Sequence, residues 1–388
     1  MTPVQGAPAP NAPTTGTRAT VALAHDYLTQ RGGAERVVMM MVQAFPDAAL
    51  HTALYHPHGT FPEFGPVDVR PGPLNRITLL RHKHRLALPL LAPAVSRCTI
   101  DADVVLASSS GWAHGFGTDG RMVVYCHAPA RWLYQTQRYL GAHTTTPYSP
   151  VLLAERAVLA LLGPALRRWD KRAAARADVY LANSSVTARM VYEVYGLAAE
   201  VVPPPPAVLP GGPETPVPGL APGFGLCVAR LLPYKNVDLV IEAAGALDGF
   251  ELVIVGDGPD RERIAALARQ SGVRLFSGVP DSQMRWLYRN ASVLVAASFE
   301  DFGLSPLEAN AFGTPVVALR AGGYLDTVVE ASTGTFFDEL TAADIAAAVD
   351  HASRQHWDPQ VLAARAAEFG TDRFVARLRE VVDTVVRS

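Results

Sequence analysis

Short, continuous apolar runs alternate along this chain with stretches of helical periodicity. In the first half the runs are Thr20–Ala24, Val104–Ala107, Met122–Tyr125 and Val179–Ala182; in the second they are Gly225–Ala229, Leu252–Val255, Val273–Phe276, Val293–Ala296 and Pro315–Leu319. Apolar residues recur every three to four positions between them, as over Pro259–Gln270, Asp281–Arg289 and Ala342–Ala352. A strand that is apolar on both sides must be covered on both sides, so such strands separated by helices predict parallel sheets layered between helices. One stretch breaks the alternation: residues 203–222 hold nine prolines in twenty positions. Proline fixes φ and removes an amide donor, so this stretch is neither helix nor central strand and reads as a linker. The pattern predicts an α/β chain of two doubly wound domains, 20–202 and 223–371. A tail, 1–19, rich in Pro, Ala and Thr, reads as disordered. A helix at 372–388 closes the chain; its packing partner stays open, with a return to the first domain among the choices.

Composition sharpens this picture. With 388 residues, 49% hydrophobic and 18% charged, the chain buries large cores. The net charge of −2 hides an asymmetry: residues 1–202 carry 19 basic and 13 acidic side chains (+6), and residues 203–388 carry 15 and 23 (−8). A near-neutral total argues against a general nucleic-acid binder. Three scattered cysteines, Cys98, Cys126 and Cys227, suit neither a disulfide framework nor a four-ligand zinc site. No apolar run reaches the ~18–20 residues of a membrane helix, and the first nineteen residues lack a secretory pattern, so the expected compartment is cytoplasmic. The longest apolar candidates, Leu86–Val95 and Ala157–Leu166, are ten residues each and contain proline.

In doubly wound sheets ligands bind beyond the carboxyl ends of the strands, so two such domains place the site in the cleft between them. The first strand leads into Gly32-Gly33 at a helix start, where close backbone approach and free amides favour an anion; an ordinary tight turn is the competing account. Strand Gly225–Ala229 leads into Arg230-Leu231-Leu232-Pro233-Tyr234-Lys235-Asn236. Two cations five residues apart suit a diphosphate clamp, against the alternative of a solvated pair. The chain has 31 arginines and only three lysines, and one of the three stands in this loop.

The densest signal is Glu300-Asp301-Phe302-Gly303-Leu304-Ser305-Pro306-Leu307-Glu308. Ser305 fits an N-cap, Pro306 the first helical position and Glu308 the third, so Glu308 is explained by a capping box alone. Gly313 fits the helix stop. Capping does not explain Glu300, whose carboxylate suits sugar or ribose hydroxyls. His127 follows strand Met122–Tyr125 and is read either as structural or as a ligand contact. Gly256-Asp257-Gly258-Pro259 is a poor dinucleotide fingerprint, because Arg261 stands where its last glycine belongs.

Taken in order, Gly32-Gly33, Arg230 with Lys235-Asn236, Gly256-Asp257-Gly258-Pro259, Gly278-Val279-Pro280-Asp281 and Glu300-x7-Glu308 before Gly313-Thr314-Pro315 resemble the retaining glycosyltransferases of family 4. These have the GT-B fold of two Rossmann-like domains facing a cleft. The stretch from Tyr125 to Tyr134 is similar to bacterial mannosyltransferases of surface polysaccharide or glycolipid assembly. The resemblance implies that Arg230 and Lys235 hold the donor diphosphate and stabilise it as it leaves. It implies that Glu308 binds the ribose, that Val279 contacts the base with Asp281 beside it, and that Glu300 holds the donor sugar. Amides of Phe302, Gly303 and Leu304 would bind sugar or phosphate, Gly32 and Gly33 would close onto the phosphates, and His127 would contact the sugar from the opposite domain. No cofactor or metal is expected; the one Asp-x-Asp, Asp101-Ala102-Asp103, sits at the start of a strand, away from the ligand end.

The implied reaction is retaining transfer of a hexose, mannose from GDP-mannose, to a polysaccharide or lipid-linked acceptor. Another nucleotide sugar, UDP- or ADP-linked, and a sugar-nucleotide epimerase of the same fold are the alternatives. A dinucleotide oxidoreductase lacks its glycine fingerprint here. Arg81-His82-Lys83-His84-Arg85 beside Leu86–Val95, and Arg167-Arg168-Trp169-Asp170-Lys171-Arg172, suit an anionic membrane surface or a solvated face with a core helix.

Overall fold

The computed structural model describes residues 19–82, 87–135 and 150–388. The tail to residue 18 and Lys83, His84, Arg85 and Leu86 lie outside the described residues.

Each half of the chain builds one all-parallel sheet. The first holds β1 (Val21–His25), β2 (Leu50–Thr52), β3 (Val69–Pro71), β4 (Val104–Ser109), β5 (Arg121–Cys126), β6 (Val179–Ala182) and β7 (Glu200–Val201), in the order β3-β2-β1-β4-β5-β6-β7. The second holds β8 (Gly225–Val228), β9 (Leu252–Val255), β10 (Arg274–Phe276), β11 (Val293–Ala296), β12 (Val316–Leu319) and β13 (Gly334–Phe337), in the order β10-β9-β8-β11-β12-β13. The nine apolar runs are all strands. The four strands they miss, β2, β3, β7 and β13, are short and lie at or near the edges. There a strand carries residues such as His51, Arg70, Pro71 and Glu200, because one side is not enclosed.

Both sheets reverse their order at one place, between β1 and β4 in the first and between β8 and β11 in the second. These reversals open crevices at the carboxyl ends of four strands. The register puts His25 opposite Ser108 at the first one.

Two segments depart from the plain reading. The proline-rich stretch is not a free tether. Pro204, Pro205 and Pro206 are buried, and Val208, Val217 and Leu220 join the core beneath the second sheet. Arg285 Nε donates to the Leu209 carbonyl (3.0 Å), and Arg289 pairs with Glu214 at 2.7 Å. The proline run ends secondary structure as expected, but its apolar residues find a surface to cover. The final helix, Thr371–Arg387, packs on the first domain. Phe374, Leu378, Val381, Val382 and Val385 lie on one face at helical spacing and enter the core with Val37, Val38 and Met41 of helix Gly33–Ala44. Arg379 Nε donates to the Ala44 carbonyl at 2.9 Å.

Candidate active site

The loop after β8 is fixed at its far end by Asn236. This residue takes the left-handed conformation (φ 53°), which asparagine tolerates better than most residues, and its side chain donates to the Ala297 carbonyl at 2.7 Å. The turn Pro233–Lys235 is thereby tied to the end of β11, and Lys235 forms an ion pair with Glu300. The Ser298 hydroxyl donates to the same Glu300 oxygen at 2.6 Å. Burial pushes the Glu300 carboxyl up, but Lys235, Ser298 and the nearby Arg131 outweigh it and hold the group below its ordinary value. Glu300 is therefore a charged acceptor. Arg230 lies on the exposed side of the loop and makes no ion pair among the described residues. The structure thus joins Lys235 to Glu300 and does not join Arg230 to either.

The glycines of Gly256-Asp257-Gly258 support that loop from below. A Cβ on Gly256 would lie 2.0 Å from the Ala229 carbonyl, and one on Gly258 2.3 Å from the Leu231 carbonyl. Only bare backbone permits the Leu231 N–H to reach the Asp257 carbonyl at 2.9 Å.

The capping box expected at Ser305–Glu308 is not formed. The helix runs Leu304–Ala311 and its N-cap is Gly303 at φ 87°, with the Tyr324 ring 2.6 Å from where a Cβ would stand. Starting two residues early moves Glu308 away from the third helical position and frees it from its own helix. Its Oε1 accepts from the amides of Ala207 and Val208 (3.1 and 3.2 Å), and its Oε2 from the Tyr288 hydroxyl (2.6 Å). Glu308 is a buried anchor for the proline-rich linker beside the cleft. Phe302 is buried against Phe369; Gly303 and Leu304 are half-buried. Val279 is half-buried in the lower core, while Asp281 is exposed at the first turn of helix Asp281–Asn290.

On the opposite wall Gly33, exposed, faces Leu304: a Cβ there would lie 3.8 Å from the leucine Cδ1. Gly32 is the N-cap of helix Gly33–Ala44 and leaves its side-chain cap unfilled, and Gly32 has Glu35 Oε2 beside it. Glu35 is buried, which pushes its carboxyl up. His127 keeps 6% of its surface. Its Nε2 lies 2.8 Å from the Ser108 hydroxyl, which is 3.0 Å from His25 Nδ1. Burial, then His25 and Arg131, lower the His127 pKa to about 3, so the ring is neutral.

Sequence reasoning missed Arg131, four residues after His127. It pairs with Asp301 across the cleft. The Ser184 hydroxyl donates to the Asp301 carbonyl, and the Ser185 amide donates to Asp326 at 2.7 Å. These bonds tie the first lobe to the loop that carries Glu300. Asp26, next to the glycine loop, is spent inside its own lobe: it accepts from the amides of Ser110, Trp112 and Ala113 at 2.6–3.0 Å. Ser109, His114 and Asp170 have the residue types of a hydrolase triad, but they are 1%, 2% and 0% exposed, so no substrate reaches them. Among the described residues no cluster of His, Cys, Asp and Glu has the arrangement of a metal site.

Comparison with known proteins places this geometry in context. The family model described as Glycosyl transferases group 1 matches residues 221–369, and that described as Glycosyltransferase Family 4 matches residues 31–208. A D-inositol 3-phosphate glycosyltransferase of Acidothermus cellulolyticus is 33% identical over 239 residues, 48% of this chain and 52% of that protein. A glycogen synthase of Pseudomonas aeruginosa is 37% identical over 158 residues, 38% of this chain and 30% of that protein. The chain thus spans about half the length, or less, of these curated relatives. Among solved structures, Anabaena HepE with UDP superposes with a TM-score of 0.65 at 16% identity, over 94% of this chain and 100% of that one. The lipopolysaccharide outer core galactosyltransferase WaaB superposes with a TM-score of 0.62 at 16% identity, over 94% and 99%. At these identities the structures establish the shared fold.

Proposed function

We propose that the chain is a glycosyltransferase of the two-lobed GT-B type, and that it moves a hexose from a nucleoside-diphosphate sugar to a hydroxyl acceptor with retention of configuration. The observation that carries this reading is the Lys235–Glu300 pair at the β8–β11 reversal, with a neutral His127 after β5 on the other lobe, bonded to Ser108 at the β1–β4 reversal. Breaking the bond to a nucleoside diphosphate leaves negative charge on phosphate oxygens, and a preorganised cation beside them lowers that barrier. Lys235 exchanges Glu300 for the diphosphate as the donor enters, with Arg230 swinging in from the exposed side of the same loop. The released Glu300 carboxylate then accepts from sugar hydroxyls. Amides at Phe302, Gly303 and Leu304, and those at Gly32 and Gly33 across the cleft, complete the anion cradle. Glu308 reaches the ribose with the lone pairs its three protein donors leave free, and Val279 with Asp281 borders the base. The leaving phosphate takes the acceptor proton on the face it departs from. This arrangement asks for no metal or cofactor, because the two cations supply the positive charge.

The donor we favour is GDP-mannose, on the likeness of Tyr125–Tyr134 to mannosyltransferases. A UDP-sugar is the second reading, supported by the structure of Anabaena HepE with UDP-glucose. The acceptor is a polysaccharide or a lipid-linked glycan. Ile77, Leu79, Leu90 and Leu161 are exposed on the first lobe near Arg81, Arg167 and Arg168, which suits peripheral attachment to an anionic membrane face in the cytoplasm. Among the described residues no helix is long and apolar enough to cross a membrane.

Thermal-shift titration with GDP-, UDP- and ADP-sugars, followed by transfer assays with the best of them, tests the reading. Stabilisation by GDP-mannose above the others is expected. No stabilisation by any nucleotide sugar overturns it. Flotation with anionic vesicles at low salt tests the membrane face; protein left at the bottom of the gradient refutes it.

A further inference from the structure

We propose that Ser108, held by His25, sets the tautomer of His127 so that this residue always presents an N–H, at Nδ1, to the donor sugar. His25 Nδ1 lies 3.1 Å from the Ser108 carbonyl oxygen and 3.0 Å from the Ser108 hydroxyl. A carbonyl oxygen only accepts, so the proton of this contact is on His25 Nδ1. The Ser108 hydroxyl receives from His25 and has one proton of its own. Ser108 is 0% exposed, so that proton has no water to go to. The remaining partner is His127 Nε2 at 2.8 Å. Ser108 therefore donates to Nε2, and Nε2 is the bare nitrogen of His127. A proton on Nε2 instead would leave the serine proton stranded in a dry interior.

His127 is neutral, as its burial and the neighbouring Arg131 require, so its single ring proton sits on Nδ1. Among the described residues the ring's hydrogen bond is the one between Nε2 and Ser108. The consequence is a fixed donor at the end of β5 that does not switch to an acceptor. It complements Glu300, a fixed acceptor at the end of β11. A sugar hydroxyl that reaches both groups accepts a hydrogen bond from His127 and donates its own O–H to Glu300, so the pair orients the hydroxyl as well as binding it. Ser108 and His25 are positioning residues, each on a different strand at the β1–β4 reversal. Their register, His25 opposite Ser108, brings them together only in the folded sheet.

The inference rests on the transferase reading for its substrate, but its central test does not. In protein labelled with 15N at histidine, long-range proton–nitrogen correlation at neutral pH reports which nitrogen of each ring is protonated; the His127 pattern is assigned by its loss in His127→Gln. We expect Nδ1 protonated and Nε2 bare. Ser108→Ala should shift His127 towards the other tautomer, and Ser108→Thr, which keeps the hydroxyl, should restore the original pattern. Protonation at Nε2 in the unaltered protein, or an unchanged pattern in Ser108→Ala, overturns the proposal. The first of these needs no variant to fold. In kinetics, Ser108→Ala should lower kcat/KM for the donor by roughly tenfold and have no further effect in a His127→Gln background. Full additivity of the two losses overturns the proposal. If the tautomer is as stated and no nucleotide sugar is turned over, the transferase reading fails and the tautomer assignment stands.

Discussion

On the second lobe the cleft is walled by full charges, Lys235 against Glu300, tied down by Asn236 and Ser298. On the first, Arg131 pairs with Asp301, and beside it a neutral His127 hydrogen-bonded to Ser108 and the amides at Gly32 and Gly33 line the wall. The contrast runs against the overall charge, since the first lobe is the basic one and the second the acidic one. What faces the cleft is therefore chosen locally. The second lobe keeps a cation held against a carboxylate, and the first keeps its histidine out of the charged form by burying it.

The largest effect expected from breaking this contrast is at Lys235. Lys235→Ala should cut kcat/KM for the donor by about 10³-fold and abolish the thermal shift from the nucleotide sugar, since the proposed cation at the leaving group is removed. Retained stabilisation by the donor would show that the diphosphate lies elsewhere. Next comes Gly303, the left-handed N-cap that lets the Glu300 loop enter its helix. Gly303→Ala places a methyl in the Tyr324 ring and should cost about 3 kcal/mol in urea denaturation, through strain and overpacking.

A third test separates the lobes by pH. The folded value of His127, about 3, lies below its ordinary 6.5. The unfolded chain therefore takes the proton first, and stability is lost as pH falls through this window. Between pH 7 and pH 5 the loss from this residue is about 2 kcal/mol, and His51, also lowered by burial, adds to it in the same direction. Glu300 is lowered from 4.5, so its contribution is complete above that value and is lost only as pH falls further, through its folded pKa. Melting temperature should thus decline from pH 7 to pH 5 less steeply in His127→Gln, while Glu300→Gln leaves that segment unchanged. Equal slopes in the unaltered protein and His127→Gln would remove the first lobe's side of the contrast.

The smallest effect concerns the bond that joins the two walls. Arg131 is 40% exposed, so Arg131→Ala should cost only about 1 kcal/mol of stability. It should raise KM for the donor severalfold, and small-angle scattering should show a larger radius of gyration as the lobes separate. An unchanged radius would mean that Ser184 and Ser185 hold the lobes without it.

The amino-acid sequence by itself determined the alternation of strands and helices, the split into two lobes, and the loops in which Lys235 and Glu300 stand. Those depend on local rules: an enclosed strand is apolar throughout, a proline run ends both kinds of element, and Lys235 and Glu300 sit in loops directly after strands. It also determined that the last helix has one apolar face, but not what that face meets. Tertiary structure decided where the proline-rich stretch and the last helix pack, that Glu308 anchors the linker instead of capping its helix, and that Lys235 pairs with Glu300 while Arg230 stays outside. It decided the first wall almost entirely. His25 and Ser108 lie on two strands 83 residues apart and carry no local signature; His127, a strand-end candidate from the sequence, follows a third strand. Their proton order follows from which buried oxygens and nitrogens the sheet register brings to 2.8–3.1 Å, and spacing along a chain does not encode that.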